Sequence, residues 1–565
     1  MQSKTALEKL NLVKLNSNRS LRTVCSEVLT LLVSAFILSI SFPGFISKNG
    51  IGFIALFAII PVFMVIRNTT FKCVWFYGFL FGLCYYFFFN YWLSGFHPLA
   101  ILIAPIIKGG EMLLLFLALK AAITFFPKRG YLLQGVIWVA YAYLAENWFA
   151  GYPYGNLGYA LWQYRIMIQI ADITGVWGII FLMILPQAFV GNTLWKMMKS
   201  DEVTFKSEIK NNIIFVAIYA ALVIASLIYG GIKLSYWNDR EPDQTLRVAA
   251  VQHNHDSWKG GYSTYLKNYN NLKRETYESL VENPDLIIWS ETAFVPSVSW
   301  HMNYYQEGSG WEDIANLTRD FVEFGKSLPV PLLTGNPKGI IDDETKPAYD
   351  EEGNQNRKDY NTVILFDDGE IIKEYEKQHL VPFTEHFPYE KQLPWLYNML
   401  LANDYNWWEM GYEPVVFETD GVKFSTPICY EDSFGSIPAE FVANGAELII
   451  NMTNDNWSKK VSAEMQHALI ATYRSVETRK ATVRGTNSGI TCMITPTGEM
   501  HDIMEPFTMN WHIYDVPVYY QENYENTFYV EHIDLFAFAA IYISIAVLAL
   551  GAVLQIITYA KGRKK

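Results

Sequence analysis

The sequence predicts a membrane α-helical bundle of eight transmembrane helices joined to an extracytoplasmic α/β domain. Three observations predict it. Eight apolar runs occupy residues 26–234 and 535–559, most of them reaching the roughly 20 residues that cross a bilayer core. Basic residues crowd alternate loops between those runs. The polar stretch 235–527 alternates short strand-like runs with helix-like ones, as layered α/β domains do.

The apolar runs fall near Ser26–Phe42, Ile51–Ile66, Phe71–Leu93, Leu99–Phe126, Leu132–Trp148, Ile166–Trp195, Ile213–Leu234 and Leu535–Tyr559. The first two are short. No small-x-small cleavage site follows the first, and more spans do, so it reads as a span and not as a leader. Lys4, Lys9, Lys14, Arg19 and Arg22 precede it. Arg67 and Lys72, Lys128 and Arg129, then Lys196, Lys199, Lys206 and Lys210 fill every second loop. The loops between carry only Lys48, none in Ser94–Pro98, and Arg165. The basic side is cytoplasmic by the positive-inside rule. The expected organisation is therefore a cytoplasmic segment 1–25, a seven-helix region 26–234, an α/β domain 235–527 on the outer face, an eighth helix 535–559 and a basic cytoplasmic tail 560–565. Lys108 and Glu111, about one turn apart in the fourth run, are expected to pair, because lone charges in lipid are costly.

Composition agrees. The chain has 565 residues, too many for one ordinary domain. Charged residues make up 18%, below the roughly 25% of globular proteins, which fits long lipid-facing stretches. The net charge of −12 argues against nucleic acid as a partner. Gly-rich phosphate loops, Cys-x-x-Cys pairs and His-Glu-x-x-His are all missing from the sequence, so no metal or other cofactor is expected. The five cysteines are scattered and odd in number, which is no disulfide framework, and Cys429 and Cys492 each have their own local context. His253, His255 and Asp256 cluster after a strand, where loop polarity explains them better than a metal does.

In the polar half, strands are expected at Leu246–Gln252, Asp285–Trp289, Pro331–Thr334, Thr362–Phe366, Ile371–Tyr375, Val422–Cys429 and Glu447–Met452, with helices over Tyr262–Glu282 and Trp311–Gly325. Chemistry in such folds gathers at strand C-termini. Glu291, Lys377 and Cys429 each follow such a run. A thiol must become a thiolate to attack, and so needs a base or a positive neighbour. Glu291, after apolar Ile287, Ile288 and Trp289, is suited to take the proton. Lys377 is suited to steady a thiolate and then an oxyanion. Taken singly, each has a blander explanation: a small buried hydrophobe for the cysteine, a water-facing loop carboxylate for the glutamate, a solvated edge charge for the lysine. Only their combination favours nucleophilic acyl chemistry.

That combination sits inside recognisable words. Trp289-Ser290-Glu291-Thr292, Tyr375-x-Lys377-x-His379-Leu380-Val381-Pro382-Phe383-x-Glu385, Ile428-Cys429-Tyr430-Glu431 and Thr453-Asn454-Asp455-x-Trp457 lie in order. Gln466-His467, Arg474 and Arg484-x-Thr486-Asn487-Ser488-Gly489 follow, and Gly151-Tyr152-Pro153 lies in the membrane half. With them the chain resembles the apolipoprotein N-acyltransferases of bacterial membranes, whose outer domain belongs to the nitrilase (carbon–nitrogen hydrolase) superfamily. The resemblance covers nearly the whole chain. It implies a nitrilase-like αββα sandwich on the periplasmic face of the inner membrane. It implies a ping-pong reaction in which Cys429 takes a fatty acyl chain from a phospholipid as a thioester. The chain then passes to the α-amino group of the diacylglyceryl-cysteine of an apolipoprotein. Glu291 is implied as base, Lys377 as oxyanion stabiliser, and Glu385, Tyr430 and Glu431 as supporting residues. Trp258 is implied as a substrate contact. Ser458-Lys459 after Trp457, Thr384 and Ala160 depart from the family pattern and touch none of the triad. A membrane-tethered amidase using the same triad with water as acceptor is the alternative, and a non-enzymatic lipid-binding scaffold a third reading. Neither accounts for an eight-span bundle together with an intact triad.

Overall fold

A computed structural model describes residues 20–95, 100–148, 150–401 and 407–563. Lys4, Lys9, Lys14, Arg19, Lys564 and Lys565, with Leu99 at the start of the fourth apolar run, lie outside the described residues. The chain divides into two compact units, one of Trp237–Ile533 and the other of the described residues on either side of it.

The first unit is helical. Among the described residues six helices are long and apolar enough to cross a membrane: Leu21–Ser39, Phe71–Phe89, Ala100–Phe125, Val176–Lys199, Ile213–Asn238 and Leu535–Lys561. These six leave the expected count of eight unconfirmed, and the runs differ from the helices for local reasons. The Ile51–Ile66 run breaks into a 3-10 turn, Gly52–Leu56, and a nine-residue helix, Ile60–Asn68, with Pro61 at its start. Proline is favoured at a helix's first turn and disfavoured inside one. The Leu132–Trp148 run does form an 18-residue helix, Gly130–Asn147, but it buries the polar Gln134 and Glu146. The Ile166–Trp195 run is interrupted at Gly175, whose φ of 61° ends one short helix and begins Val176–Lys199. Phe71–Phe89 packs tightly on Ala100–Phe125: a Cβ on Gly78 would stand 2.6 Å from the Met112 carbonyl oxygen. Lys108 pairs with Glu111 at 2.8 Å and also donates to the Ala145 carbonyl at 3.2 Å, so the two charges satisfy one another within the bundle.

The second unit holds two six-stranded sheets and one of three strands. In the first large sheet, Gln244–Gln252, Leu286–Ile288 and Leu332–Gly335 run parallel. Asn510–Val518 flanks them antiparallel on one side, Thr362–Asp367 and Glu370–Glu376 on the other. In the second, Val422–Ser425, Leu448–Thr453 and Thr482–Thr486 run parallel between antiparallel edges. Period-two alternation decides the layers. Leu246, Val248, Ala250, Leu286, Ile288 and Leu333 share one core with Phe424, Leu448, Ile450 and Val483 of the other sheet. Their neighbours Ala249, Val251, Ile287, Trp289 and Leu332 turn the other way, onto Tyr269, Leu272, Phe321 and Phe324 of the helices Tyr262–Ser279 and Glu312–Ser327. On the second sheet Ser436–Ala443 and Val461–Thr478 supply the outer helical layer. The result is an αββα sandwich. The expected strands lie within one to four residues of these bounds. The largest shift is Val422–Cys429, which stops at Ser425 because Pro427 has no N–H for a ladder.

Candidate active site

Three strand C-termini set the site, two on parallel strands and one on the antiparallel Glu370–Glu376. Glu291 lies three residues past Leu286–Ile288, and Thr292 after it turns left-handed at φ 47°. The backbone there presses on Gly335 of the neighbouring strand, where a Cβ would meet the Thr292 nitrogen at 2.2 Å. Lys377 directly follows Glu370–Glu376. Cys429 opens a 3-10 turn, Cys429–Ser433, and its own φ is 49°. A non-glycine residue held there costs about 1–3 kcal/mol and persists only where its surroundings enforce it.

Neither bland explanation survives for Lys377 or Glu291. The lysine is 0% exposed and the glutamate 6%. Lys377 Nζ donates to Glu291 Oε1 at 3.2 Å and to Glu385 Oε1 at 2.8 Å. Glu291 also accepts from Asn361 Nδ2 at 2.7 Å on Oε1 and from the Asn454 N–H at 3.0 Å on Oε2. Glu385 is held in turn by the Val381 N–H at 2.8 Å. Two carboxylates thus share one buried ammonium. Burial pushes the Glu291 carboxyl above the usual carboxylate range; Lys377 pulls it back, and Glu385 adds to the rise. Burial works against the Lys377 charge, but Glu291 and Glu385 outweigh it and hold the ammonium well above its ordinary value. Burial, then Glu291, pushes the half-buried Cys429 thiol well above its ordinary value, against Lys377. The resting site is therefore thiol plus carboxylate, with a base poised to ionise the thiol as it attacks. Cys492 is a separate buried thiol, and both cysteines are free.

Glu431, 0% exposed, joins the lysine and cysteine segments. Oε1 accepts from the Gln378 and His379 N–H groups, at 2.7 and 3.0 Å, and from the Tyr375 hydroxyl at 2.8 Å. Oε2 accepts from the Ile428 N–H at 2.7 Å. Burial pushes its carboxyl up to about 7, with the Ile428 and His379 N–H groups opposing. Glu431→Gln keeps the size but sets an amide NH₂ against a backbone N–H. The expected result is a loss of about 1–3 kcal/mol, read as earlier thermal unfolding, together with slower acylation as the nucleophile's turn loosens.

Tyr430 is buried, its ring edge-on to Phe434 at 5.0 Å. The His379 ring lies tilted with its centroid 4.0 Å from that of Phe434, and burial, then Lys377, lowers its pKa to about 4, so it stays neutral. Trp258 lies apart in the loop after Gln252, 57% exposed, with its N–H on Asp256 Oδ1 at 3.2 Å. Ser257 beside it donates to Asn454 Oδ1 at 2.9 Å, linking that loop to the segment that holds Glu291. His255 is engaged by Asn268 and Asn487, as loop polarity requires. The sequence reading missed Asn361, which bonds both carboxylates of the cluster. Its one signal is a polar residue immediately before the buried Thr362–Asp367 strand.

Two family models match the chain: the apolipoprotein N-acyltransferase N-terminal domain over residues 34–189 and the carbon-nitrogen hydrolase domain over residues 247–521. The chain is similar to apolipoprotein N-acyltransferase 1 of Treponema denticola, 35% identical over 499 residues that cover 87% of this chain and 90% of that protein. It is also similar to apolipoprotein N-acyltransferase 1 of Treponema pallidum, 32% identical over 512 residues, 88% of this chain and 91% of that one. Among solved structures it is similar to an amidase from Nesterenkonia sp., 17% identical with a TM-score of 0.34, covering 51% of this chain and 95% of that chain.

Proposed function

The chain belongs to the apolipoprotein N-acyltransferase family of acyltransferases, and from that premise we propose that it moves a fatty acyl chain from a phospholipid, through a Cys429 thioester, to the α-amino group of a diacylglyceryl-cysteine on an apolipoprotein. The observation that carries the mechanism is the buried Glu291–Lys377–Glu385 cluster at the strand ends beside the left-handed Cys429. Glu291 takes the thiol proton as sulfur attacks the ester carbonyl. The tetrahedral oxyanion forms against the Lys377 ammonium, a preorganised charge in a water-poor site. Glu291 returns the proton to the departing glycerol oxygen, releasing lyso-phospholipid. In the second half the amine attacks the thioester, Glu291 removes its proton, and the thiol is restored. The amide product is more stable than the thioester, which drives the sequence forward. Glu385 keeps Lys377 charged and in place. Glu431 and Tyr430 hold the nucleophile's turn, and Trp258 meets substrate from the loop after Gln252.

Lipid donor and lipidated acceptor both require a membrane-bound site. The chain is a membrane protein, and we place it in the bacterial inner membrane with residues 235–527 on the periplasmic face. The basic residues of alternate loops support that orientation. The domain limits follow from it: 26–234 and 535–559 in the bilayer, 1–25 and 560–565 in the cytoplasm. A carbon–nitrogen hydrolase domain would equally suit an amidase. The relatives' similarity through the membrane half favours transfer. The test is purified enzyme with a phospholipid and a diacylglyceryl-cysteinyl peptide. Acyl transfer to the peptide amine, lost in Cys429→Ala, supports this reading. Hydrolysis of small amides with no gain of mass on the peptide contradicts it.

A further inference from the structure

A second buried network lies behind the nucleophile, and the mechanism above leaves it unused. His467, on the Val461–Thr478 helix, is 2% exposed. Its Nε2 is 2.8 Å from Asp432 Oδ1 and its Nδ1 2.9 Å from Asp455 Oδ1. Asp432 belongs to the same 3-10 turn as Cys429. Asp455 follows Asn454, whose N–H donates to Glu291. We propose that His467 is a positioning residue: its two ring nitrogens tie the turn that carries Cys429, through Asp432, to the segment that holds Glu291, through Asp455. This rests on the assignment of Cys429 as nucleophile and Glu291 as base.

Carboxylates only accept, so a ring set between two of them must donate from both nitrogens and carry a positive charge. Burial opposes that charge, but Asp455 and Asp432 raise the His467 pKa to about 9. Arg484 completes the arrangement, bonded to Asp432 and 3.8 Å from Asp455. Glu464, which faces Asp455, is held protonated by burial and by that neighbour. Two anions and two cations then balance in a site with no water-facing member, since all five side chains are at most 4% exposed or, for Asp455, at the edge of that value. Removing the imidazolium frees the turn, whose left-handed Cys429 needs outside support. It also leaves excess negative charge next to a thiol that Asp455 already makes harder to ionise.

The experiment uses full-length enzyme in mixed micelles with a dipalmitoyl phospholipid, and follows the acyl-enzyme by intact mass across pH. In His467→Gln the rate per folded enzyme is expected to fall on the order of 10²-fold, the effect of a displacement of about 1 Å at a reacting group. The rate curve is expected to move to higher pH, because the uncompensated charge left on Asp432 and Asp455 makes both Glu291 and the thiol harder to ionise. A wild-type rate, or an unmoved pH curve, overturns the proposal; a structural role alone would lower only the amount of folded protein. Should His467→Gln fail to fold, Asp432→Asn keeps the turn's shape and an acceptor while removing the ion pair. The same loss of rate is expected there, and a wild-type rate again overturns the proposal. Cys429→Ala separates the two layers of argument. An adduct that survives Cys429→Ala contradicts the underlying reading. One lost there but formed normally in His467→Gln contradicts this inference alone.

Discussion

Lys377→Met is expected to stop acyl-enzyme formation and to destabilise the catalytic domain at the same time. The substitution keeps an unbranched side chain, one atom shorter, and removes its charge. Glu291 and Glu385, within 3.2 and 2.8 Å of the Lys377 nitrogen, would then face each other without a counter-charge. Breaking a buried pair by removing one partner typically costs about 3–5 kcal/mol. The chain relieves part of that by protonating one carboxylate, since Lys377 is what lowers the Glu291 pKa against burial. The sign follows: a carboxyl whose folded pKa is raised contributes stability below its unfolded pKa and loses it as pH rises through the folded value. The variant's deficit should therefore be smallest in acid and widen towards neutral pH. Activity suffers twice, through the missing oxyanion partner and through a base now protonated. A fall of at least about 10²–10³-fold in the acylation rate is expected. Thermal unfolding in detergent at several pH values, beside the acylation rate, checks both halves. Equal deficits at all pH values would contradict the shared-charge account.

Glu291→Gln is expected to lose about 10²–10⁴ in acylation rate, the usual contribution of a positioned base. In the wild type the rate should rise with pH as Glu291 ionises, at a pH above the ordinary carboxylate range because burial raises its pKa. The Gln variant should lack that limb altogether. It should also slow alkylation of Cys429 by a small electrophile, because burial still holds the sulfur as thiol and no base then assists it. A pH–rate curve with the same acidic limb in both proteins would assign the proton transfer to another group.

The strands and the membrane runs were legible in the sequence because their signals are local. The apolar stretch within Gln244–Gln252 and the short apolar Leu286–Ile288 run read as strands on their own. Glu291, Lys377 and Cys429 were readable as candidates because each follows such a run. Their burial was not: a lysine after a strand is ordinarily solvated, and only the assembled sandwich encloses Lys377. Asn361 was invisible because it lies 70 residues from the Glu291 it bonds and carries no spacing of its own. The His467 network was hidden for the same reason, with partners 35 and 12 residues away. In the membrane half, apolar length alone did not show where the runs break. Pro61 and Gly175 are the local features that break two of the runs, and Gln134 and Glu146 are polar residues buried in a third.

The most direct test of the account is the mass of the protein itself. Full-length enzyme incubated with a phospholipid of one defined acyl chain, without acceptor, should gain the mass of that acyl group. Peptide mapping should place it on Cys429, and a diacylglyceryl-cysteinyl peptide should discharge it as the amide. An adduct on another residue, or peptide acylation by Cys429→Ala at the wild-type rate, would contradict the thioester at the centre of the account.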